Sequence, residues 1–123
     1  MKKDIENRVD LEVLVHAFYE RAKADPTIGL YFTKYVAVNW EKHIPIMVDF
    51  WENVLFFTGA YHGNPMETHL KIHQIHPLTL QIFEQWILLF DTTVNEHFSG
   101  KQADIIKSKA AHIATIMKLK LLV

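Results

Sequence analysis

The 123-residue chain contains no cysteine. Without cysteine it can form neither disulfides nor thiolate ligands for zinc, iron–sulfur clusters or haem iron, so histidine is the soft-to-borderline metal ligand that it offers. It also lacks an excess of either charge, because 13 basic and 14 acidic residues leave a net charge of −1. A chain with this balance has no field to recruit nucleic acid or an anionic membrane, and we expect partners of neither kind.

Long hydrophobic runs are missing as well. The apolar segments 44–48 and 87–90 are far shorter than the roughly 18 to 20 residues that a membrane-spanning helix needs. The first residues, Met1 to Glu6, turn acidic where a signal peptide needs its apolar run. We therefore expect a cytoplasmic protein. Half of the residues are hydrophobic, enough for one core, and we expect residues 1–123 to form a single domain.

Apolar residues at three- and four-residue spacing predict helices over most of the chain. The predicted helices cover about 11–24, 40–58, 65–76 and 78–97, and a last one follows Ser99. No two-residue alternation bounded by hairpin turns is present in the sequence. The pattern predicts an all-α fold.

Polar residues near the predicted helix starts indicate how these helices are capped. Asp10 is the candidate cap of the first helix, and Ser99 with Gln102 has the spacing of a capping box for the last one. Pro45 lies inside the second predicted helix, where proline removes a backbone donor. We expect Pro45 to kink that helix near His43.

The predicted helix from Pro65 carries a histidine at a fixed height. Asn64 supplies the N-cap oxygen, Pro65 suits the first helical position, and Glu67 stands where a capping-box carboxylate reaches back. His69 therefore lies one turn above the helix start, a placement suited to holding a metal ion. A second histidine, His43, occurs 26 residues earlier on an apolar helical face.

Several short motifs follow one another in a specific order. They are Phe18-Tyr19, Gly29 followed by Phe32, Trp40-Glu41-Lys42-His43, Phe50-Trp51, Tyr61-x-Gly63-x-Pro65-x-x-x-His69, and Trp86. Each motif alone is weak, but their order and spacing resemble those of the truncated haemoglobins over nearly the whole chain. The paired glycines typical of the first two groups of that family are missing, so the chain looks most like the third group.

The resemblance implies a two-over-two truncated globin fold around a haem b, an iron protoporphyrin IX. His69 would be the proximal iron ligand, and no covalent attachment is expected because the chain lacks cysteine. The distal ligand-binding side would be formed by Tyr19, Trp86, His43 and Met47. The other cofactor-binding residues implied by the resemblance are Phe32, Phe50, Trp51 and Phe90. No catalytic residue is assigned.

The function implied by this resemblance is binding of oxygen, nitric oxide and carbon monoxide at a histidine-ligated iron. A polar distal side also suits nitric oxide dioxygenase or peroxidase-like chemistry, with a reductase of unknown identity as a partner. Two alternatives stay open. His69, His73 and His76 could form a haem-free metal site on one helical face, or an aromatic groove could bind a partner helix.

Overall fold

A computed structural model describes residues 2–122, which form six α-helices and no strand. The helices are α1 (Arg8–Ala24), α2 (Leu30–Thr33), α3 (Trp40–Phe56), α4 (Pro65–Ile75), α5 (Leu80–His97) and α6 (Lys101–Leu121). The all-α prediction is confirmed. No helix of this part of the chain is both long and apolar enough to span a membrane. Met1 and Val123, the ends of the predicted domain, lie outside the described residues.

The long helices form two layers. In one layer α1 packs on α3, and in the other α5 packs on α6. Helix α1 also crosses onto α5, and α3 onto α6, so the apolar faces of both layers meet in one core. Full burial of one large apolar side chain contributes about 1.5 to 3 kcal/mol, and the core contains Leu11, Leu14, Phe90, Val94 and Ile106. This is the predicted two-over-two arrangement.

Helix α4 lies beside the main core. A second apolar cluster joins α2, the start of α5 and the end of α6, and α4 reaches this cluster through the partly buried Met66 and Ile72. No side chain of α4 is fully buried. Among the helices of residues 2–122, α6 is the one that packs closely on α4. The helix that carries His69 is therefore held mainly from one side.

The predicted cap of α1 is wrong. Helix α1 begins at Arg8, and Asn7 is its cap, since the Asn7 side chain accepts the Asp10 N–H at 3.2 Å. Asp10 lies in the first turn, where its buried carboxylate accepts the Glu6 N–H at 2.8 Å. A helix start at Arg8 lets both side chains act as acceptors. Asn7 accepts the N–H of Asp10, and Asp10 accepts the N–H of Glu6, which precedes the helix.

The predicted capping box of Ser99 and Gln102 is also wrong. Helix α6 has no side-chain cap from its own neighbourhood. The carboxylate of Asp4 takes that place and accepts the N–H groups of Gln102 and Ala103, each at 2.9 Å. Although burial opposes ionisation, these hydrogen bonds lower the pKa of Asp4 below its ordinary value.

The start of α4 differs in one respect from the prediction. Asn64 caps α4 as predicted and accepts the Glu67 N–H at 3.1 Å. The Glu67 carboxylate does not reach back to the cap but lies 3.5 Å from Lys71 Nζ, one turn further on.

Helix α3 continues through Pro45 without interruption. Both Pro45 and Glu41, whose carbonyl loses its helical partner, are exposed, so water can satisfy that carbonyl.

Candidate functional site

His69 is oriented by the start of its own helix. Its Nδ1–H donates to the carbonyl oxygen of Pro65 at 2.7 Å. With the proton on Nδ1, the other ring nitrogen, Nε2, carries the lone pair that can bind a metal. Burial lowers the pKa of His69, although the bond to Pro65 opposes the shift. The ring is therefore the neutral imidazole that metal ligation requires.

Tyr19 of α1, which is buried, and His43 of α3, which is partly buried, form a polar pair. His43 Nε2 lies 3.0 Å from the Tyr19 hydroxyl oxygen. Burial raises the pKa of Tyr19, so the phenol keeps its proton. Burial is the main cause that lowers the pKa of His43, and the electrostatic effect of His69 is the smaller one.

Aromatic rings surround this polar pair. The Tyr19 ring meets Phe32 edge-on at 5.5 Å between ring centroids and Trp40 at 5.2 Å. Trp40 also packs edge-on against His43 at 5.7 Å. The structure thus brings together Tyr19, Phe32 and His43, three of the predicted site residues. Trp40 was not predicted as a site residue, although its position one turn before His43 on the same helix was visible in the sequence.

The predicted apolar site residues differ in how deeply they are buried. Trp51 and Phe90 stack at 5.0 Å between centroids and are only 3% and 2% exposed, so they belong to the core. Trp86 stacks on Phe90 at 5.4 Å, which fixes the plane of its indole ring. Met47, Phe50 and Trp86 are partly buried and pack against the same core. Helices α3 and α5 therefore present a partly exposed apolar surface, and Met47 lies one turn after His43 on α3.

The histidines in and next to α4 fit a single protein ligand to haem iron better than a haem-free metal site, which needs several protein ligands. Within residues 2–122 no group of three or more acidic or histidine side chains could hold a metal ion. His73 uses Nδ1 to accept the Leu78 N–H at 2.9 Å, and His76 stacks on Tyr35 at 3.8 Å. One neutral imidazole beside an apolar aromatic surface is what a haem requires, because the porphyrin supplies the in-plane ligands.

Comparison with known proteins finds a sequence relative and a related fold. A group 3 truncated haemoglobin of Campylobacter jejuni is 27% identical over 118 residues, which cover 94% of this chain and 91% of that protein. A crystal structure of a group III truncated haemoglobin from C. jejuni matches with a TM-score of 0.86 at 27% identity, over 98% of this chain and 95% of that one. No protein-family model matches the chain. Both matches confirm the resemblance that the motifs indicate.

Proposed function

The chain has the sequence pattern and the fold of a truncated haemoglobin of the third group, and from that premise we propose that it binds one haem b and takes diatomic ligands at the haem iron. The observation that carries the proposal is the bond from His69 Nδ1 to the Pro65 carbonyl, which leaves Nε2 to ligate iron. When bound, the haem would supply an iron that binds diatomic gases, and His69 would hold that iron. The attachment is non-covalent, since the chain has no cysteine.

Each part of the apolar surface has a separate role in this proposal. Met47, Phe50 and Trp86, which are partly buried, would line the haem and exclude water from it, while the buried Trp51 and Phe90 would support them from the core. A carbonyl partner such as that of Pro65 orients the proximal ring and raises its basicity. The polypeptide thereby controls how strongly His69 donates electron density.

Tyr19 is the proposed principal donor to the ligand. A phenol has a single O–H group, so Tyr19 can serve the ligand only while His43 is the donor in the 3.0 Å bond between them. His43 must then carry its proton on Nε2. In this arrangement His43 orients the Tyr19 hydroxyl, and Phe32 and Trp40 hold the phenol ring in place.

The polar distal pair also supports the proposed chemistry. A hydrogen-bond donor stabilises a ligand that acquires partial negative charge, which favours oxygen over carbon monoxide. The same donor polarises an O–O bond. The proposed nitric oxide dioxygenase and peroxidase-like activities rest on this polarisation. Both activities need electrons, so we propose a reductase as a partner and, as the sequence predicts, a cytoplasmic location.

Absorption spectra of the purified chain reconstituted with haem test the proposal. We expect one haem per chain, a five-coordinate ferrous form, and loss of axial histidine ligation in His69→Ala. His73→Ala is the matched control, because its Nδ1 is already bonded to Leu78, and it should leave the ferrous carbonyl spectrum unchanged. A protein that stays colourless, or a loss of ligation in His73→Ala instead of His69→Ala, would overturn the proposal.

A further inference from the structure

Segment 57–64, between α3 and α4, contains two motif residues, Tyr61 and Gly63, that have no role in the proposed function. The Tyr61 ring packs edge-on against Phe50 of α3, with centroids 5.0 Å apart and planes at 86°. We propose that Tyr61 is a positioning residue, which sets the distance of α4, and with it the height of His69, from the pocket wall on α3. The inference rests on the proposed haem site.

Helix α4 needs such a contact because it has few others. Its attachment to the bundle runs through partly buried residues on the α6 side, and no α4 side chain is fully buried. Its C-terminal end is held by the stack of His76 on Tyr35 at 3.8 Å. At the other end, Tyr61 comes four residues before Pro65. The packing of Tyr61 on Phe50 thus fixes the end of α4 nearer to His69.

Gly63 gives independent support. A Cβ atom at position 63 would meet the Tyr61 hydroxyl oxygen first, and it would lie 2.6 Å from Tyr61 Cζ and 2.9 Å from Tyr61 Cε2, closer than side-chain carbons approach. The backbone itself does not call for glycine here, because Gly59 and Gly100 are the glycines of the described residues with positive φ. The hydroxyl end of the Tyr61 ring therefore occupies the space that a side chain at position 63 would need. Burial also raises the pKa of the Tyr61 hydroxyl, as expected for a packed ring.

A double-mutant cycle on Tyr61 and Gly63 tests the inference. Tyr61→Ala removes the ring, and Gly63→Ala displaces it, so each should speed haem transfer to a scavenger apoprotein about two- to tenfold, the range expected for one aromatic contact. Both should also shift the iron–histidine stretching band of the ferrous protein in the same direction. The double variant should equal Tyr61→Ala alone, because Gly63→Ala acts through the ring.

Two further variants separate the possible causes. Tyr61→Phe keeps the ring and should behave like the wild type. Gly59→Ala strains a backbone with a φ of +73° but meets no atom within 4 Å, so it should leave the iron–histidine band unchanged. Additive effects of Tyr61→Ala and Gly63→Ala, or an equal shift of the band in Gly59→Ala, would refute positioning by the ring.

Hydrogen exchange of the haem-free full chain keeps this inference separate from the haem proposal. Tyr61→Ala should speed exchange of the amides of α4 while those of α1 stay protected, because only α4 loses its anchor. If the wild-type chain binds no haem, the proposed function fails, and with it the inference. If it binds haem but Tyr61→Ala changes neither haem transfer, nor the band, nor exchange, the inference alone is refuted.

Discussion

Replacing Tyr19 with phenylalanine deletes a hydroxyl and keeps the packing of the ring. The edge contacts of Tyr19 with Phe18, Phe32 and Trp40, at 5.1, 5.5 and 5.2 Å, involve the ring and are available to phenylalanine. The substitution removes the 3.0 Å bond to His43 and one donor to a ligand with partial negative charge. Such a donor contributes about 1.5 to 3 kcal/mol. Oxygen release from Tyr19→Phe should therefore be about ten- to a hundredfold faster.

Carbon monoxide has far less charge on its outer atom and should be released at nearly the wild-type rate. Flash photolysis and stopped-flow release of both gases from wild type, Tyr19→Phe, His43→Leu and the double variant provide the comparison. If His43 acts by orienting Tyr19, His43→Leu should have the smaller effect, and the double variant should match Tyr19→Phe. Equal acceleration of both gases would refute the assignment of Tyr19 as a donor. A larger effect of His43→Leu would make His43 the principal donor.

Three other substitutions test the fold. Asp4→Ala should lower the free energy of unfolding by about 1 kcal/mol in urea titrations, whereas Ser99→Ala, which removes no cap, should have little effect. The pKa of Asp4 is lowered from 3.8 in the folded state, so Asp4 contributes its full stabilisation well above that pH. The difference in free energy of unfolding between Asp4→Ala and wild type should shrink as the pH falls through the folded-state pKa. A difference that does not depend on pH would contradict the cap. Gly29→Ala places a Cβ 2.6 Å from the Lys23 carbonyl oxygen and should destabilise by about 1 to 3 kcal/mol, as overpacking does; a normal unfolding midpoint would contradict this. Arg8→Ala removes ion pairs from α1 to Asp49 and Glu52 of α3 at 2.7 and 3.1 Å, and since Arg8 is partly exposed, we expect a loss of at most about 1 kcal/mol that vanishes in high salt.

The sequence predicts the helices well where their ends are decided locally. Helix α3 begins at Trp40 and α4 at Pro65, as predicted, because apolar spacing and the Asn64-Pro65 start are properties of neighbouring residues. The resemblance carried by the motif order implies that Tyr19 and His43 belong to one site, and in the structure the two side chains lie 3.0 Å apart. The ligand roles of these residues stay predictions.

Features that depend on distant segments could not be predicted. Ser99 is a good capping residue by type, but Asp4, from the other end of the chain, occupies the position that the N–H groups of Gln102 and Ala103 face. Trp40 was hidden for a related reason, since its contacts with Tyr19 and His43 exist only after α1 and α3 have packed. Local patterns specify which helices form, while tertiary packing decides which of several suitable side chains is used.

The cap on α6 has a consequence for the order in which this protein can be completed on the ribosome. Asp4 and its partner Gln102 are separated by 98 residues, which at typical rates of synthesis corresponds to a delay of about 5 to 20 s. Helix α3 is complete at Phe56 and α6 begins only at Lys101, so the face of α3 that packs on α6 lacks this cover in the later part of the interval. The nascent chain thus exposes apolar surface until its last helix emerges, and a chaperone that binds such surface has its opportunity in this interval.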